Sequence, residues 1–232
     1  MLISSIIANA QLKADLANQA FYTSNDANFD ATLAWEEIYN LLTEADDDYF
    51  VTSIYLTPSV SFTADPNRTA FYIYALPVDF YRLRMLAYRG PTSTGYFFPC
   101  AKMDMLNMGY TQHTPGYILQ GQNLDIYDPY GFSMYNFRYY PSPISALAAA
   151  NGQPGAAAIS PAWDITYPNT VLTEYMVWRI AADIRRKQNQ DPVIQQTRAS
   201  EIMQTIKRQI HRDDYRARVP KDEFQSGNDW WN

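Results

Sequence analysis

The pattern of apolar and polar positions divides the chain into three zones. In the first, Ile3, Ile6, Ile7, Ala10, Ala14 and Ala17 recur at three- and four-residue spacing, the repeat that places apolar side chains on one face of an α-helix. A second helix is predicted in NDANFDATLAWEEIYNLLTEADDDYF, where Ala34, Ile38, Leu41, Leu42 and Ala45 share a face. Asp30 is its expected N-cap, and the run Asp46–Asp48 ends it.

From about Val51 to Asp164 the period changes to that of strands. VTSIYLT and TAFYIYAL are β-branched and aromatic runs, the side chains that fit a pleated surface. The connection PSVSFTADPNR is long for a hairpin and is expected to project as a loop. YILQGQNLDIY is expected to form a short hairpin turning at Gly121–Asn123, and DPYG, with Pro129, carries turn chemistry. SMYNFRYY alternates, with Tyr135, Phe137 and Tyr139 on one face and Met134, Asn136 and Arg138 on the other. The stretch ISALAAANGQPGAAAISPAWD is rich in small residues, Gly and Pro, and is read as a loop or extended arm (residues 144–162) outside the core.

The third zone is helical again. A helix opens after Pro168, at Asn169 or Thr170, and its first turns are apolar nearly all round: Val171, Leu172, Tyr175, Met176, Val177, Trp178 and Ile180. Such a helix belongs at the buried centre of a bundle. Arg185, Arg186 and Lys187 lie in its last turn, where they suit the helix dipole. Asp191 and Pro192 restart the chain as N-cap and first helical residue. Ala199, Ile202, Met203, Ile206 and Ile210 then line one face of the following helix.

These elements predict an α+β fold: a helical bundle built from both chain ends, with a small antiparallel β domain, a barrel or a sandwich, inserted between them. The expected boundaries are residues 1–50 and 168–212 for the bundle, 51–167 for the β-rich domain with its long loops, and 213–232 for a flexible C-terminal docking tail.

Composition narrows the functional classes. The 232 residues include 19 Tyr and a single cysteine, Cys100. No disulfide framework and no CxxC metal pair can therefore form within the chain. The N-terminal stretch has no basic region and too short an apolar run for a signal peptide, and no run is long enough to span a bilayer. Synthesis in a cytoplasm, without membrane association, is expected. Charge is unevenly spread. Residues 1–168 hold seven Lys and Arg against fifteen Asp and Glu, whereas residues 169–221 hold eleven against six. A basic C-terminal region on an acidic body points to nucleic acid or to an acidic protein partner; with no nucleic-acid motif beside it, it reads as a packing and interface feature rather than DNA readout.

Candidate chemistry is sparse. The two histidines, His113 and His211, have no ligand partner at metal-site spacing and read as surface or capping residues. Cys100, among aromatics in YFFPCAKMD, reads as a small buried hydrophobe. Asp46–Asp48 lacks the glycine and closing glutamate of a calcium loop. Asp125 and Asp128 flank a tyrosine in the hairpin and carry no recognisable chemistry. Nucleophile-elbow, phosphate-loop, dinucleotide and zinc-protease motifs are missing from the sequence. No catalytic residue, metal site or cofactor is assigned, and the chain is not expected to be an enzyme. Two other classes stay in view: a carbohydrate-binding tail module, suggested by the Tyr-rich strands, and an enzyme with an unrecognised carboxylate site using Glu36, Glu37 or Asp164.

One conjunction of motifs is more specific. IYLTPS leads to FYIYALPVDFYRLRML, a strand followed by a turn with Leu76, Pro77, Asp79 and Phe80. GYILQGQNLDIYDPYG follows, then YNFRYYPSPI, a strand ending in Tyr-Tyr-x-x-Pro, then YPNTVLTEYMVWRIAADIRRKQNQDP and an Arg-rich helix. From Asp30 to Arg212 this order resembles the head–tail adaptors (connectors) of tailed bacteriophages, the group that includes the tail tubular protein A of short-tailed phages. The 144–162 arm and the Trp-ended tail depart from the pattern. The resemblance implies a structural virion protein of the phage neck. It would form a homo-oligomeric ring, a dodecamer, that binds the portal protein above and the tail nozzle protein below. That ring would continue the channel through which DNA passes without sequence-specific binding during genome ejection. Adaptors of this kind send C-terminal segments to the portal. Here Tyr215, Arg216, Arg218, Phe224, Trp230 and Trp231 would make that contact, being the residue types that dominate interface hot spots.

Overall fold

A computed structural model describes residues 1–15, 22–45, 48–57, 61, 63–66, 70–89, 96–103, 115–129, 131, 134–165 and 170–218, with side chains as far as residue 210. The fold is α+β, and the chain divides into two compact units. One is helical and takes residues 1–47 with the chain from Pro143 onward; the other is the β unit, Asp48–Ser142.

In the helical unit, α1 (Ile3–Lys13) buries Ile3, Ile6, Ile7 and Ala10, the predicted stripe; Ala17 lies outside the described residues. Helix α2 (Ser24–Glu44) begins earlier than its hydrophobic stripe suggests. Asp30 is not its N-cap. Thr23 takes that place in a capping box, its Oγ1 accepting from the Asp26 N–H at 3.2 Å while Asp26 Oδ2 accepts from the Thr23 N–H at 2.9 Å. Ala27 and Ala31 extend the apolar face upstream, so Asp30 falls inside the helix and is buried. Trp35 and Tyr39, outside the predicted stripe, are fully buried and widen the core face.

Helix α4 (Thr170–Lys187) is the hub of this unit and contacts α1, α2 and α5 (Val193–Arg218). Its buried residues, including Leu172, Met176, Val177, Ile180 and Ile184, surround most of its circumference, as expected of a helix enclosed by others. Past its last turn Asn189 adopts φ 54°, the left-handed position at which Asn substitutes for Gly, and Gln190 N–H returns to Arg185 O at 2.9 Å. Asp191 Oδ1 then accepts from Val193 N–H at 3.0 Å and starts α5. Helix α5 continues to Arg218, beyond the expected boundary at residue 212, so residues 213–218 belong to a helix and the tail is at most residues 219–232, which lie outside the described residues.

The small-residue stretch is not an extended arm. Pro143–Ala150 forms α3, which packs against α2 and buries Ala146, Leu147 and Ala148. Ile159, Trp163 and Ile165 are buried as well. Helix α1 has no side-chain N-cap, and this segment takes over that task. Ile3 N–H donates to Trp163 O at 2.9 Å and Ser4 N–H to Pro161 O at 3.0 Å, satisfying donors that a helix leaves open at its start. Asn151 fixes the segment to α3, its Nδ2 donating to Leu147 O and Asp164 O and its Oδ1 accepting from the Asp164 N–H. The boundary between the units therefore lies at Ser142/Pro143 rather than at residue 167.

The β unit contains two sheets. One has the order β1 (Thr52–Leu56), β9 (Met134–Pro141), β4 (Phe80–Arg89), β5 (Phe98–Pro99). The other runs β2 (Thr63–Ala64), β3 (Phe71–Ala75), β8 (Asn123–Tyr127), β7 (Gly116–Gln120), β6 (Ala101–Lys102). All pairings are antiparallel except β6 with β7. The predicted strands β1 and β3 are not hairpin partners: β1 pairs with β9 and β3 with β8. The 58–68 connection is partly outside the described residues, and its Thr63–Ala64 forms the edge strand β2. The β7–β8 hairpin forms as expected, with Gly121 at φ 57° supplying the turn. Tyr135, Phe137 and Tyr139 of β9 are buried against Leu56, Leu86, Leu124 and Ile126, so side chains of both sheets form one core. Phe137 lies at its centre, stacked on Tyr139 (5.1 Å) and Phe80 (6.0 Å), with Tyr74 edge-on at 5.7 Å.

Candidate functional site

Charge is organised differently in the two units. In the helical unit, α2 and α4 run antiparallel and are joined by two polar clusters. Near the start of α2, Lys187 Nζ donates to Asp30 Oδ2 at 3.1 Å and Asp26 Oδ1 at 3.2 Å, and Tyr22 OH donates to Asp30 Oδ2 at 3.1 Å. Burial raises the Asp30 carboxyl above its ordinary range even though Lys187 and Tyr22 act in the opposite direction. Hydrogen bonds from Thr23 and Lys187 hold Asp26 down, at about 2. Two to three turns along α2, Glu37 accepts from Arg179 Nη2 at 3.0 Å and Nε at 3.2 Å, and from Tyr175 OH. Arg179 also holds Asp183, which in turn binds Arg186. Burial alone would draw the Arg179 guanidinium down, but its hydrogen bonds to Asp183 and Glu37 keep it above its ordinary value.

This network floors an open groove of about 470 Å³ between α4 and α5, lined by Tyr175, Arg179, Arg186, Gln196, Ser200 and Met203 among others. Both arginines there are committed to carboxylates, which leaves the groove amphipathic rather than cationic. The pairing had a legible signal: acids at 26, 30 and 37 on one helix and cations at 179 and 187 on another, spaced to match across an antiparallel contact.

The three carboxylates considered for catalysis do not come together. Glu37 is engaged by Arg179 and Tyr175. Glu36 lies on the outer side of α2, and Asp164 sits in the bridge that pairs its backbone with Leu2. Among the described residues no group of three or more His, Cys, Asp or Glu side chains could hold a metal ion. Among them too, no helix is long and apolar enough to cross a membrane.

In the β unit, Cys100 is 9% exposed and burial, with the Asp128 carboxylate nearby, pushes its thiol up to about 12. Asp128 and Asp125 are buried, which the sequence pattern missed. Burial and Asp128 also raise the Tyr135 phenol. A partly exposed ion-pair cluster lies on the β1-β9-β4-β5 sheet. Arg84 Nε meets Asp48 Oδ1 at 3.1 Å and Arg138 Nη2 meets Asp48 Oδ2 at 3.6 Å. Asp48 thus forms ion pairs rather than part of a cation loop; Asp46 and Asp47 lie outside the described residues.

Of the expected docking residues, Tyr215, Arg216 and Arg218 lie on the last turns of α5, with side chains outside the described residues. Phe224, Trp230, Trp231 and His113 are outside them altogether, as is the side chain of His211. No protein-family model matches the chain, and no curated protein matches it.

Proposed function

We propose that the chain is a structural virion protein, a head-to-tail adaptor of a tailed bacteriophage. In this reading, twelve copies form a ring between portal and tail nozzle that continues the DNA channel. The observation that carries the reading is the origin of the two units. The first two helices and the last two, from opposite chain ends, make one helical unit, and a two-sheet β unit occupies the middle. That order follows the motifs from which the resemblance is drawn. A rigid helical unit suits a ring stave, and the β unit offers loops to a second partner. Residues from Tyr215 to Trp231 would dock on the portal. A single segment of this kind binds weakly, because ordering it costs about 1–2 kcal/mol per residue; twelve on one ring act together.

The test is to combine the purified chain with the portal protein of the same virion and to measure the mass and rotational symmetry of the product. A closed ring on the portal is expected. Trp230→Ala with Trp231→Ala is expected to weaken assembly while the thermal unfolding of the free chain stays unchanged. A double variant that unfolds several degrees lower yet still binds portal would place the tryptophans in the chain's own core.

A second reading, a carbohydrate-binding tail module, is favoured by one observation: Tyr96, 80% exposed, and Phe98, 50% exposed, lie two residues apart at the edge strand β5. Glycan binding by the monomer, lost in Tyr96→Ala, together with no ring on the portal, would favour it over the adaptor.

A further inference from the structure

We propose that Asn151–Gly152 is a modification site, at which deamidation of Asn151 releases the 151–165 segment from α3 and uncaps α1. The inference stands apart from the adaptor reading. The sequence holds a single Asn–Gly pair, and it falls just past the end of α3. In such a pair the side-chain amide meets its backbone nucleophile with least hindrance, because glycine has no Cβ to shield its nitrogen. The Gly152 nitrogen gives up its proton to hydroxide and bonds to Asn151 Cγ; the Cγ–Nδ2 bond breaks and ammonia leaves. The cyclic imide then takes up water at either carbonyl and opens to aspartate or to isoaspartate, whose main chain is longer by a methylene. Water is the only co-reactant, and Gly152 is exposed to it. The fold itself demands the labile pair. Gly152 adopts φ 70°, the left-handed position that closes α3: Gln153 N–H donates to Ala148 O at 2.9 Å and Gly152 N–H to Ala149 O at 3.0 Å. Another residue would be strained there, although no atom lies close enough to exclude a side chain.

The folded chain holds the reaction back. The Gly152 N–H is engaged by Ala149 O, and every polar atom of the Asn151 amide is engaged as well. Its Nδ2 donates to Leu147 O at 2.9 Å and to Asp164 O at 3.0 Å, and its Oδ1 accepts from the Asp164 N–H at 2.7 Å. Turning Cγ toward the Gly152 nitrogen breaks this clamp, so the reaction proceeds through local opening of the segment. The same bonds make the product consequential. A carboxylate at 151 donates nothing, and it meets two carbonyl oxygens that have lost their partner. Asp164 is also where the segment meets the start of α1. It pairs with Leu2, and beside it Ile165 N–H donates to Met1 O at 3.1 Å, Ile3 N–H to Trp163 O and Ser4 N–H to Pro161 O. Helix α1 has no side-chain cap to replace these bonds. Refolding does not restore the amide, so the release runs one way.

Ageing the full chain tests the inference. The protein is held at mildly alkaline pH, native in one arm and unfolded in urea in the other. Conversion of Asn151 is followed by peptide mass spectrometry, with isoaspartate scored separately from aspartate. Conversion is expected in both arms and to be slower by about tenfold or more in the native arm, where opening must come first. Amide exchange at Ile3 and Ser4 is then compared between wild type and Asn151→Asp. It is expected to be about tenfold faster in the variant, while exchange in β8 is unchanged. Equal conversion rates in the two arms overturn the inference, because the clamp would then protect nothing. An Asn151 that stays intact in urea, or in the native arm for weeks, overturns it too, as does an Asn151→Asp chain that protects Ile3 and Ser4 as well as wild type does. If Asn151→Asp fails to fold by circular dichroism, wild type aged in the native arm takes its place. Its exchange at Ile3 and Ser4 must then rise in step with the converted fraction, and exchange that stays constant overturns the inference.

Discussion

Lys187 at the end of α4 reaches Asp30 inside α2 at 3.1 Å, and the aspartate it meets is 3% exposed. Removing the cation would leave a buried carboxylate with Tyr22 as its remaining donor from this cluster. Such losses cost about 3–5 kcal/mol in buried pairs; Lys187 is partly exposed, so Lys187→Ala is expected near the lower end, about 3 kcal/mol, by urea unfolding. Adding Asp30→Asn to that variant should restore part of the loss, since a neutral amide needs no counter-ion. A double variant less stable than Lys187→Ala would show that Asp30 contributes through other contacts.

The same cluster predicts a pH dependence with two opposed parts. Asp26 is held at about 2, below its ordinary 3.8, so its contribution is present above pH 3.8 and is lost as pH falls toward 2. Asp30 is raised, so its contribution is full below pH 3.8 and is lost as pH rises through its folded value. Asp26→Asn should flatten the fall in melting temperature between pH 4 and pH 2. Asp30→Asn should instead remove the gain in stability on acidification just above pH 4. Melting curves of the two variants from pH 2 to 6 that change in the same sense would contradict this assignment.

Trp35 Nε1 donates to Pro143 O at 2.8 Å and so ties α2 to the first residue of α3. Trp35→Phe keeps most of the ring but removes the donor from a half-buried carbonyl, at a cost of about 1 kcal/mol. Amide exchange in 143–150 should accelerate in the variant more than exchange in α1. Uniform acceleration would indicate general loosening instead.

The Cys100 thiol, pushed up to about 12 from an ordinary value of 9.0, should hold about a thousandfold less thiolate at pH 8 than a free cysteine. Labelling by iodoacetamide should be very slow in the native protein and complete quickly in urea. Stoichiometric labelling of the native protein within minutes would be incompatible with a buried thiol.

Phe137 meets Phe80, Tyr139 and Tyr74 in one aromatic cluster. Phe137→Ala should destabilise the β unit by about 3–5 kcal/mol, read by near-UV circular dichroism. Far-UV helical signal should persist to a higher denaturant concentration than the aromatic signal. Simultaneous loss of both would mean that the units unfold as one.

Periodicity alone determined the α+β class, the stripe of α1, the encircled helix α4, the restart at Asp191 and the alternation of β9. In each, local backbone geometry and one apolar face suffice to specify the element. What the sequence left undecided depends on contacts far along the chain. Asp30 resembled a cap because a carboxylate before an apolar stripe usually is one; Lys187, brought alongside by antiparallel packing of α4, and Tyr22 make it tolerable inside the helix. The 143–165 stretch resembled an arm because small residues and Gly/Pro carry no strong local preference. The open N–H groups at the start of α1 and the face of α2 supply the partners that make it part of the core. The strand partners of β1 and β3, and the meeting of Arg84 of β4 and Arg138 of β9 at Asp48, were likewise set by register across distant strands. The alternation of β9 separates Arg138 from Phe137 locally, but which strands it pairs with is decided by the shared burial of Phe137, Leu86 and Leu124 between the two sheets.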